Sequence, residues 1–314
     1  MATHTATGAS AALAGSLAPL LGKIPLFGAG PRQVSELPGG LTNRNYKVTT
    51  QNGCYVVRVS PREADLLSIN RDNEYHNSVA AAAVGVGAPV LAYRPEDGVM
   101  VVGFIDGITF TDASFGVPGN LTRVAESCRR LHAGQRFVND FNMFDIQRDY
   151  LSLVQARGYR LPDGYLDFAH QVQQIRQALA VRDEGTVPCN NDLLAGNFVD
   201  DGTQVWLIDY EYSGNNDACF ELGNIWSECH LSHDQLEELV TAYYGRPLRN
   251  KVARAQLQGL MSKYGWTLWA SIQQASSALD FDFWGWGMEK YESAVEMFRS
   301  PHFPQLLEIV ELPD

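Results

Sequence analysis

The segment from Cys189 to Glu211, which reads CNNDLLAGNFVDDGTQVWLIDYE, constrains this chain more than any other feature. Its Asp201-Gly202 pair is a hairpin turn signal, and short apolar runs flank it on both sides. Closing that hairpin returns the end of its second strand to the start of its first. Asp209 should therefore lie near Asn197, and two oxygen ligands would converge, as a hard cation such as Mg²⁺ requires.

A third polar residue, Asp192, lies five residues before Asn197. A carboxylate at this spacing, followed by an Asn–Asp metal pair, can orient a substrate hydroxyl and hold Mg²⁺ against nucleotide phosphates. A surface hairpin with ordinary polar flanks is the simpler explanation for an isolated Asn–Asp pair. Motifs elsewhere in the chain are needed to distinguish a phosphoryl-transfer site from a structural hairpin.

Composition excludes several classes of protein. The 314 residues are enough for one large or two modest domains, and 45% hydrophobic with 19% charged residues is a globular composition. A net charge of −12 without a Lys/Arg-rich run argues against nucleic-acid binding. No apolar run approaches the ~20 residues that span a bilayer, so we expect no membrane insertion. Five cysteines without a close CxxC pair favour reduced thiols and a cytoplasmic protein.

The pattern of strands and helices predicts an α+β chain of two lobes. A hairpin signal at Asn52-Gly53 lies within a strand-rich region, a helical pattern follows over residues 62–84, and helices dominate after Gly107. This is the bilobal plan of kinases, with the ligand in the cleft. The predicted parts are a mobile tail with a leading helix, a phosphate-binding N-lobe, a hinge, and a catalytic and acceptor-binding C-lobe: 1–22, 23–103, 104–107 and 108–314.

Two features of the N-lobe suit a phosphate site. Gly39 and Gly40 let the backbone approach phosphate oxygens, although Gly-Gly is commonly just a turn. Arg58 lies in an otherwise apolar strand, YVVRV, where a charge usually needs a partner or a ligand. Glu74 in the next helix is a candidate partner, and kinases hold the α- and β-phosphates with such a pair. The alternative is an edge-strand arginine that faces water.

Together these features resemble the choline/ethanolamine kinase family, most closely its bacterial branch, within the larger aminoglycoside-phosphotransferase-like group. The motifs that carry the resemblance run in order from about Val34 to about Tyr291: LPGGLTNRNYKV, VVRVSP, NEYHNSVAAAAVGVGAPVLAY, VVGFIDGITF, RRLHAG, CNNDLLAGNF and LIDYEYSGNNDACFELGN. The resemblance implies the bilobal protein-kinase-like fold. It also implies transfer of the γ-phosphoryl group of ATP, with Mg²⁺, to the hydroxyl of a small amino alcohol.

The resemblance implies roles residue by residue. Asp192 matches the aspartate that orients or deprotonates the acceptor hydroxyl, and Asn197 and Asp209 match the metal-binding pair, with Glu211 close to the metals. Arg58 matches the basic residue that contacts phosphate. The implied ATP-binding set is Gly39, Gly40, Thr42, Asn43, Arg58, Glu74 and the hinge residues Gly103, Phe104, Ile105 and Asp106.

Two positions depart from the family pattern. Asn190 stands where the family normally has a histidine that braces the catalytic loop. Because asparagine also supplies a donor and an acceptor, we expect activity to be retained. Glu221 stands where relatives often carry aspartate, and we expect the longer carboxylate to be tolerated. The change at Asn190 keeps a non-catalytic, pseudokinase-like binding protein among the alternatives.

A cluster of tryptophans marks the C-terminal third, where four of the six in the chain lie between positions 266 and 286. Trp266 and Trp269 share a helix face, and indole faces attract alkylammonium ions. Plain core packing is the alternative explanation. The resemblance implies that these two and Trp286 form a choline pocket, with Glu228 near the substrate ammonium. Carboxylate and indole together favour choline or an N-methylated ethanolamine over ethanolamine.

The sequence leaves the acceptor and the assembly open. An aminoglycoside, a sugar or another metabolite could replace the amino alcohol, although aminoglycoside pockets tend to be lined with carboxylates rather than with aromatic rings. A homodimer is compatible with the sequence, and nothing in it argues for one.

Overall fold

The computed structural model describes residues 15–28, 30–60 and 67–314. Of the predicted tail and leading helix, residues 1–14 lie outside the described residues and 15–21 are helical (α1). The N-lobe elements that follow are Gln33–Leu37 (β1), Arg44–Thr50 (β2), Gly53–Val59 (β3), Arg71–Ala83 (α2), Val90–Arg94 (β4) and Val99–Gly103 (β5). The strands form one antiparallel sheet in the order β1-β2-β3-β5-β4.

The pleat of this sheet decides which side chains reach the cleft between the lobes. Successive side chains of a strand point to opposite faces. On β3, Tyr55 and Val57 are buried in the N-lobe core, whereas Val56 and Arg58 line the cleft. The apolar residues on one face of β3 therefore fix the position of the charged residue on the other.

The helix predicted over residues 62–84 begins later than expected. Residues 61–66 lie outside the described residues, Leu67 has a 3₁₀ conformation, residues 68–70 are not helical, and α2 starts at Arg71. Asn70 caps the helix, because its side chain accepts the backbone N–H groups of Asp72 and Asn73. Leu67 is buried in the C-lobe core instead, where its carbonyl accepts the hydroxyl of Tyr150 at 2.7 Å. Its apolar character reflects this tertiary contact and not a helix face.

The C-lobe is built around one long helix. Its elements are Ile108–Thr109 (β6), Asn120–His132 (α3), Met143–Arg157 (α4), Ala169–Val181 (α5), Val187–Cys189 (β7), Phe198–Asp200 (β8), Val205–Leu207 (β9), Gly214–Asn216 (β10), Ala218–Glu228 (α6), His233–Tyr244 (α7), Arg249–Ser276 (α8), Phe283–Arg299 (α9) and His302–Glu311 (α10). Helix α8 packs against α4, α6, α9 and α10 and is buried along most of its length.

The predicted hairpin is confirmed. Strands β8 and β9 pair antiparallel around the Asp201-Gly202 turn, and β6 pairs with the outer edge of β8. The Asp201 carboxylate holds the turn by accepting the backbone N–H groups of Thr203 and Gln204. The hairpin points its open end toward the cleft, where Ile208 and Asp209 line the wall.

Two further expectations can be compared with the fold. All five cysteines are free thiols, and four of them are buried. Among the described residues, no helix is both long enough and apolar enough to cross a membrane.

Candidate active site

The open end of the hairpin brings the three predicted catalytic-loop and metal positions together. Ile208 donates its backbone N–H to the carbonyl of Asn197 at 3.0 Å. The Nδ2 atom of Asn197 in turn donates to the backbone carbonyl of Asp192 at 2.7 Å. Asp209 follows with a positive φ of 62°, a conformation that aspartate tolerates better than most residues. These bonds fix the backbone of all three positions relative to one another.

Asn190 braces the catalytic loop from inside. The residue is fully buried, and its Nδ2 atom donates to the carbonyls of Ile208 at 3.1 Å and Asp209 at 2.9 Å. Its Oδ1 atom accepts the backbone N–H of Asp192 at 3.1 Å. The side chain thus uses both the donor and the acceptor that the sequence argument assigned to it.

Glu221, on α6, holds the same loop from the opposite side. Its two carboxylate oxygens accept the backbone N–H of Asn190 at 2.7 Å and of Asn191 at 2.8 Å. His132 Nε2 lies 3.7 Å from one of these oxygens. Asn191 has a positive φ of 68°, so the loop makes a tight turn here that the carboxylate supports. The sequence argument predicted only that this longer carboxylate would be tolerated.

A buried ion network joins the N-lobe to the metal positions. Arg58 pairs with Glu74 at 2.7 Å, as the sequence predicted, and also with Asp209 and Glu211, each at 2.9 Å. These carboxylates raise the pKa of the Arg58 guanidinium, although burial opposes them. A charge taken out of water in this way is stable only when it is paired. Arg58 is therefore a buried cation that contacts both predicted metal-binding carboxylates.

Arg71 is a second cation in this network, and sequence reasoning missed it. Its Nη1 atom lies 2.7 Å from Glu74 and 3.2 Å from Glu211. Glu211 also accepts the hydroxyl of Thr42 at 2.7 Å and the amide of Asn43 at 2.8 Å. The position of Arg71 three residues before Glu74 on one helix face was the signal available in the sequence.

Most of the predicted site residues line one cavity of about 560 Å³ between the lobes. Glu74 and Asn43 lie behind its wall, bonded to Arg58 and Glu211. Asp106 is not among the lining residues within the described part of the chain, and its role stays a prediction. The predicted residues that line the cavity are Gly39, Gly40, Thr42, Arg58, Gly103, Phe104, Ile105, Asp192, Asn197, Asp209, Glu211, Glu228, Trp266, Trp269 and Trp286.

Aromatic rings line a further part of the cavity. Trp269 stacks edge-on against Trp286 with ring centroids 5.4 Å apart, and its Nε1 atom donates to the Tyr212 hydroxyl at 2.7 Å. Tyr212 packs against Trp266 at 4.9 Å. Trp266 and Trp269 are also members of the C-lobe core, so both sequence interpretations describe the same residues. Tyr212 was not predicted, and its position in the IDYEY segment was the only signal.

The predicted acceptor site also contains a lysine that the sequence argument did not consider. Glu228 pairs with Lys290 of α9 at 2.5 Å. The same ammonium lies 4.1 Å from the ring centroid of Trp286. Two of the groups predicted to contact a substrate ammonium, Glu228 and Trp286, therefore already contact a lysine of the protein.

The environment of Asp192 suits a proton acceptor. Burial raises the pKa of its carboxyl well above the ordinary range, and the nearby carboxylates of Asp209, Glu211 and Glu228 act in the same direction. Lys290 acts in the opposite direction. A raised pKa makes a carboxylate a stronger base, which favours acceptance of a proton from an alcohol.

Replacing Asn190 tests the brace on the catalytic loop. In Asn190→Ala the buried carbonyls of Ile208 and Asp209 lose their side-chain donor, which should destabilise the fold by about 1–3 kcal/mol. We expect kcat to fall more than the nucleotide KM changes, because the loop is misplaced but the phosphate end is intact. Steady-state kinetics and thermal unfolding measure the two effects. Asn190→His, which supplies a donor and an acceptor, should retain more activity than Asn190→Ala, and equal losses in both would contradict the bracing role.

The architecture and cavity define a kinase-like, bilobal phosphotransferase fold. The chain belongs to the choline/ethanolamine kinase family, whose model matches residues 34–244. It is therefore a member of a family of phosphotransferases that act on an alcohol group. The family and fold class predicted from the motifs are confirmed.

Three relatives illustrate the similarity. A choline/ethanolamine kinase family protein from Mesorhizobium loti has 31% sequence identity and a TM-score of 0.82, covering 98% of this chain and 99% of that one. Protein LicA of Haemophilus influenzae is 26% identical over 250 residues, 74% of this chain and 91% of LicA. The choline kinase LicA from Streptococcus pneumoniae has 23% identity and a TM-score of 0.74, with coverage of 92% and 98%.

Proposed function

We propose that this chain is an ATP- and Mg²⁺-dependent kinase that phosphorylates the hydroxyl of a small amino alcohol, most specifically choline or an N-methylated ethanolamine. One observation carries the proposal. A single cavity is lined by Arg58 and Asp209 and also by a tryptophan cluster, with Asp192 in its wall. Membership of the choline/ethanolamine kinase family supports an amino alcohol as the acceptor.

Unsatisfied donors beside the metal-binding positions fit the phosphates of a nucleotide. Buried Arg58 Nε, and Arg71 Nε and Nη2, have no hydrogen-bond partner, whereas Asp209 Oδ1 lies 2.9 Å from Arg58 Nη2. Buried polar atoms are rarely left unpaired without a functional reason. Asn197 and Asp209, with Glu211 beside them, would hold Mg²⁺. Its charge would neutralise phosphate oxygens during transfer.

Binding of the nucleotide would exchange the partners of the buried ions. In the structure Arg58 contacts Asp209, so the metal-binding carboxylate is occupied by the phosphate-binding cation. When phosphates reach Arg58, Asp209 becomes available as a metal ligand. Glu74 and Arg71, which lie 2.7 Å apart, would stay paired and hold the neighbouring side chains in place while Arg58 changes partners.

Asp192 would position the acceptor. Asn190 and Asn197 both bond to the Asp192 backbone, so the backbone position from which the carboxylate extends into the cavity is fixed. The carboxylate accepts a hydrogen bond from the acceptor hydroxyl, orients the oxygen toward the γ-phosphorus, and takes the proton as the O–P bond forms. The bond between that phosphorus and the leaving ADP oxygen breaks in the same step.

Trp266 offers a clean test of the acceptor pocket. Its buried Nε1 atom makes no hydrogen bond, so Trp266→Leu removes the indole face and no polar contact. A cation–π contact is typically worth ~0.5–2 kcal/mol, so we expect the choline KM to rise about 2- to 30-fold. The ATP KM should change little, because Trp266 packs against the rings of Phe141 and Tyr212 and not against Arg58 or Asp209. Initial rates at varied choline and at varied ATP measure both constants.

The matched control for this variant is Trp226→Leu. Trp226 is a partly buried tryptophan of α6 that packs against the C-lobe core and is not among the cavity-lining residues. Thermal unfolding of both variants separates lost packing from lost binding. If Trp266→Leu lowered only the melting temperature, the ring would be core alone and the acceptor would return to an unspecified small alcohol.

The acceptor itself is identified by a screen of ATP consumption. Choline, ethanolamine, its mono- and dimethylated forms, several aminoglycosides and 3,3-dimethylbutanol, the neutral isostere of choline, serve as acceptors. The proposal predicts the highest kcat/KM with choline or a methylated ethanolamine. Equal turnover of the neutral isostere would contradict a cationic acceptor, and preference for an aminoglycoside would replace the proposed substrate class.

A further inference from the structure

The Lys290–Glu228 pair is built into the acceptor end of the cavity. Trp286 and Lys290 are four residues apart on α9, so they lie on the same helix face. Glu228 is the last residue of α6. The lysine and glutamate side chains are only 11% and 6% exposed, so this is a desolvated pair and not a surface contact.

The ammonium of Lys290 makes the contacts that a cationic substrate would otherwise make. It lies 2.5 Å from the Glu228 carboxylate and 4.1 Å from the centroid of Trp286, and both of these residues line the cavity. A carboxylate and an indole face are the two groups that attract an alkylammonium ion. With Lys290 in place the carboxylate is neutralised and that indole face is covered.

Further charged groups surround this pair, namely the carboxylates of Asp192 and Glu296 and the ammonium of Lys263. Lys263 of α8 is close enough to Lys290 for its pKa to be lowered by burial and by that neighbour. Its Nζ atom donates to Ser293 Oγ at 2.8 Å and lies 5.1 Å from the ring centroid of Trp226. Lys290 and Lys263 therefore lie near two cavity-lining carboxylates, Glu228 and Asp192.

We propose that Lys290 is a specificity-determining residue, which lowers the affinity for a cationic acceptor by neutralising Glu228 and competing for the face of Trp286. The inference rests on the proposed function, because it concerns the acceptor of that reaction. It implies that Trp266 and Trp269 supply most of the attraction for the ammonium in the native protein. It also implies that the native protein binds choline more weakly than the same pocket would without Lys290, when all three indoles and an unpaired Glu228 carboxylate could contact the ammonium.

Lys290→Met tests this directly, because methionine keeps the apolar stem and removes the charge. Isothermal titration of choline without nucleotide gives the dissociation constant, and initial rates give the KM. Both should fall by about 2- to 30-fold, the range for one recovered cation contact. Affinity for the neutral 3,3-dimethylbutanol should stay within about twofold, because no charge is involved. Lys290→Gln, also neutral, provides a second variant if methionine impairs folding.

Lys263→Met is the matched control, since it removes a lysine of the same cluster that contacts Ser293 and not Glu228. Its effect on choline affinity should be clearly smaller. Unchanged or weaker choline binding in both folded Lys290 variants would overturn the inference, as would an equal gain for the neutral isostere.

The two proposals fail in different ways. A wild-type protein that binds choline but phosphorylates no amino alcohol contradicts the proposed function, while tighter binding by Lys290→Met still supports the role of the lysine. An active wild type whose choline affinity is unchanged by Lys290→Met contradicts the lysine inference alone. If neither wild type nor variant binds choline or any N-methylated ethanolamine, both are overturned.

Discussion

Asp209→Ala is expected to reduce kcat by on the order of 10³-fold, the loss typical when a group that stabilises phosphoryl-transfer charge is removed. The side chain lies at the open end of the hairpin and is the predicted metal ligand that contacts Arg58. Arg58 keeps its bonds to Glu74 and Glu211 in this variant, so we expect the fold to persist. Turnover at saturating ATP, acceptor and Mg²⁺ measures the effect.

The control for Asp209→Ala is Asp201→Ala, in the turn of the same hairpin. Asp201 holds that turn through Thr203 and Gln204 and also accepts the indole N–H of Trp206 at 2.7 Å. Its loss should lower thermal stability without a comparable loss of kcat. Near-native turnover of a folded Asp209→Ala variant would show that the metal assignment is wrong.

Asp192→Asn is expected to lower kcat by ~10²–10⁴-fold, the usual contribution of a positioned general base. The substitution preserves shape, and the bond from Asn197 goes to the backbone carbonyl of Asp192, which is unchanged. The ATP KM should therefore stay within about threefold of the native value, because the variant leaves the phosphate end intact. Single-turnover rates and nucleotide titration measure the two quantities separately. A loss of nucleotide affinity as large as the loss of kcat would indicate a structural role for Asp192.

The elements that sequence predicted well are those set by local chemistry. Asp201-Gly202 specifies a turn wherever it occurs between two apolar runs, so the hairpin and its convergent end followed from it. Arg58 was recognisable because a charge in an apolar strand requires a partner. Glu74 was predicted as that partner because kinases pair a strand cation with a carboxylate of the next helix. Asn190 was interpreted correctly as a donor and acceptor because its chemistry allows little else.

The features that sequence missed depend on contacts between distant segments. Lys290 meets Glu228 only because α6 and α9 both pack against α8, and no periodicity within either helix reveals that contact. The contact of Arg71 with Glu211 likewise depends on how the two lobes pack together and not on the local sequence around either residue. The start of α2 was misplaced because buried Leu67 and Ile69 were taken as part of a helical pattern, whereas both pack in the C-lobe core.

The central claim is tested most directly by ³¹P NMR of the protein incubated with ATP, Mg²⁺ and choline, alongside the Asp209→Ala variant and a sample with excess EDTA. The account predicts that ATP is converted to ADP with the stoichiometric appearance of a choline phosphomonoester. It also predicts that the new resonance is absent in the variant and in the chelated sample. A phosphomonoester that forms equally well with EDTA or with Asp209→Ala, or no phosphomonoester from choline or any N-methylated ethanolamine, would contradict it.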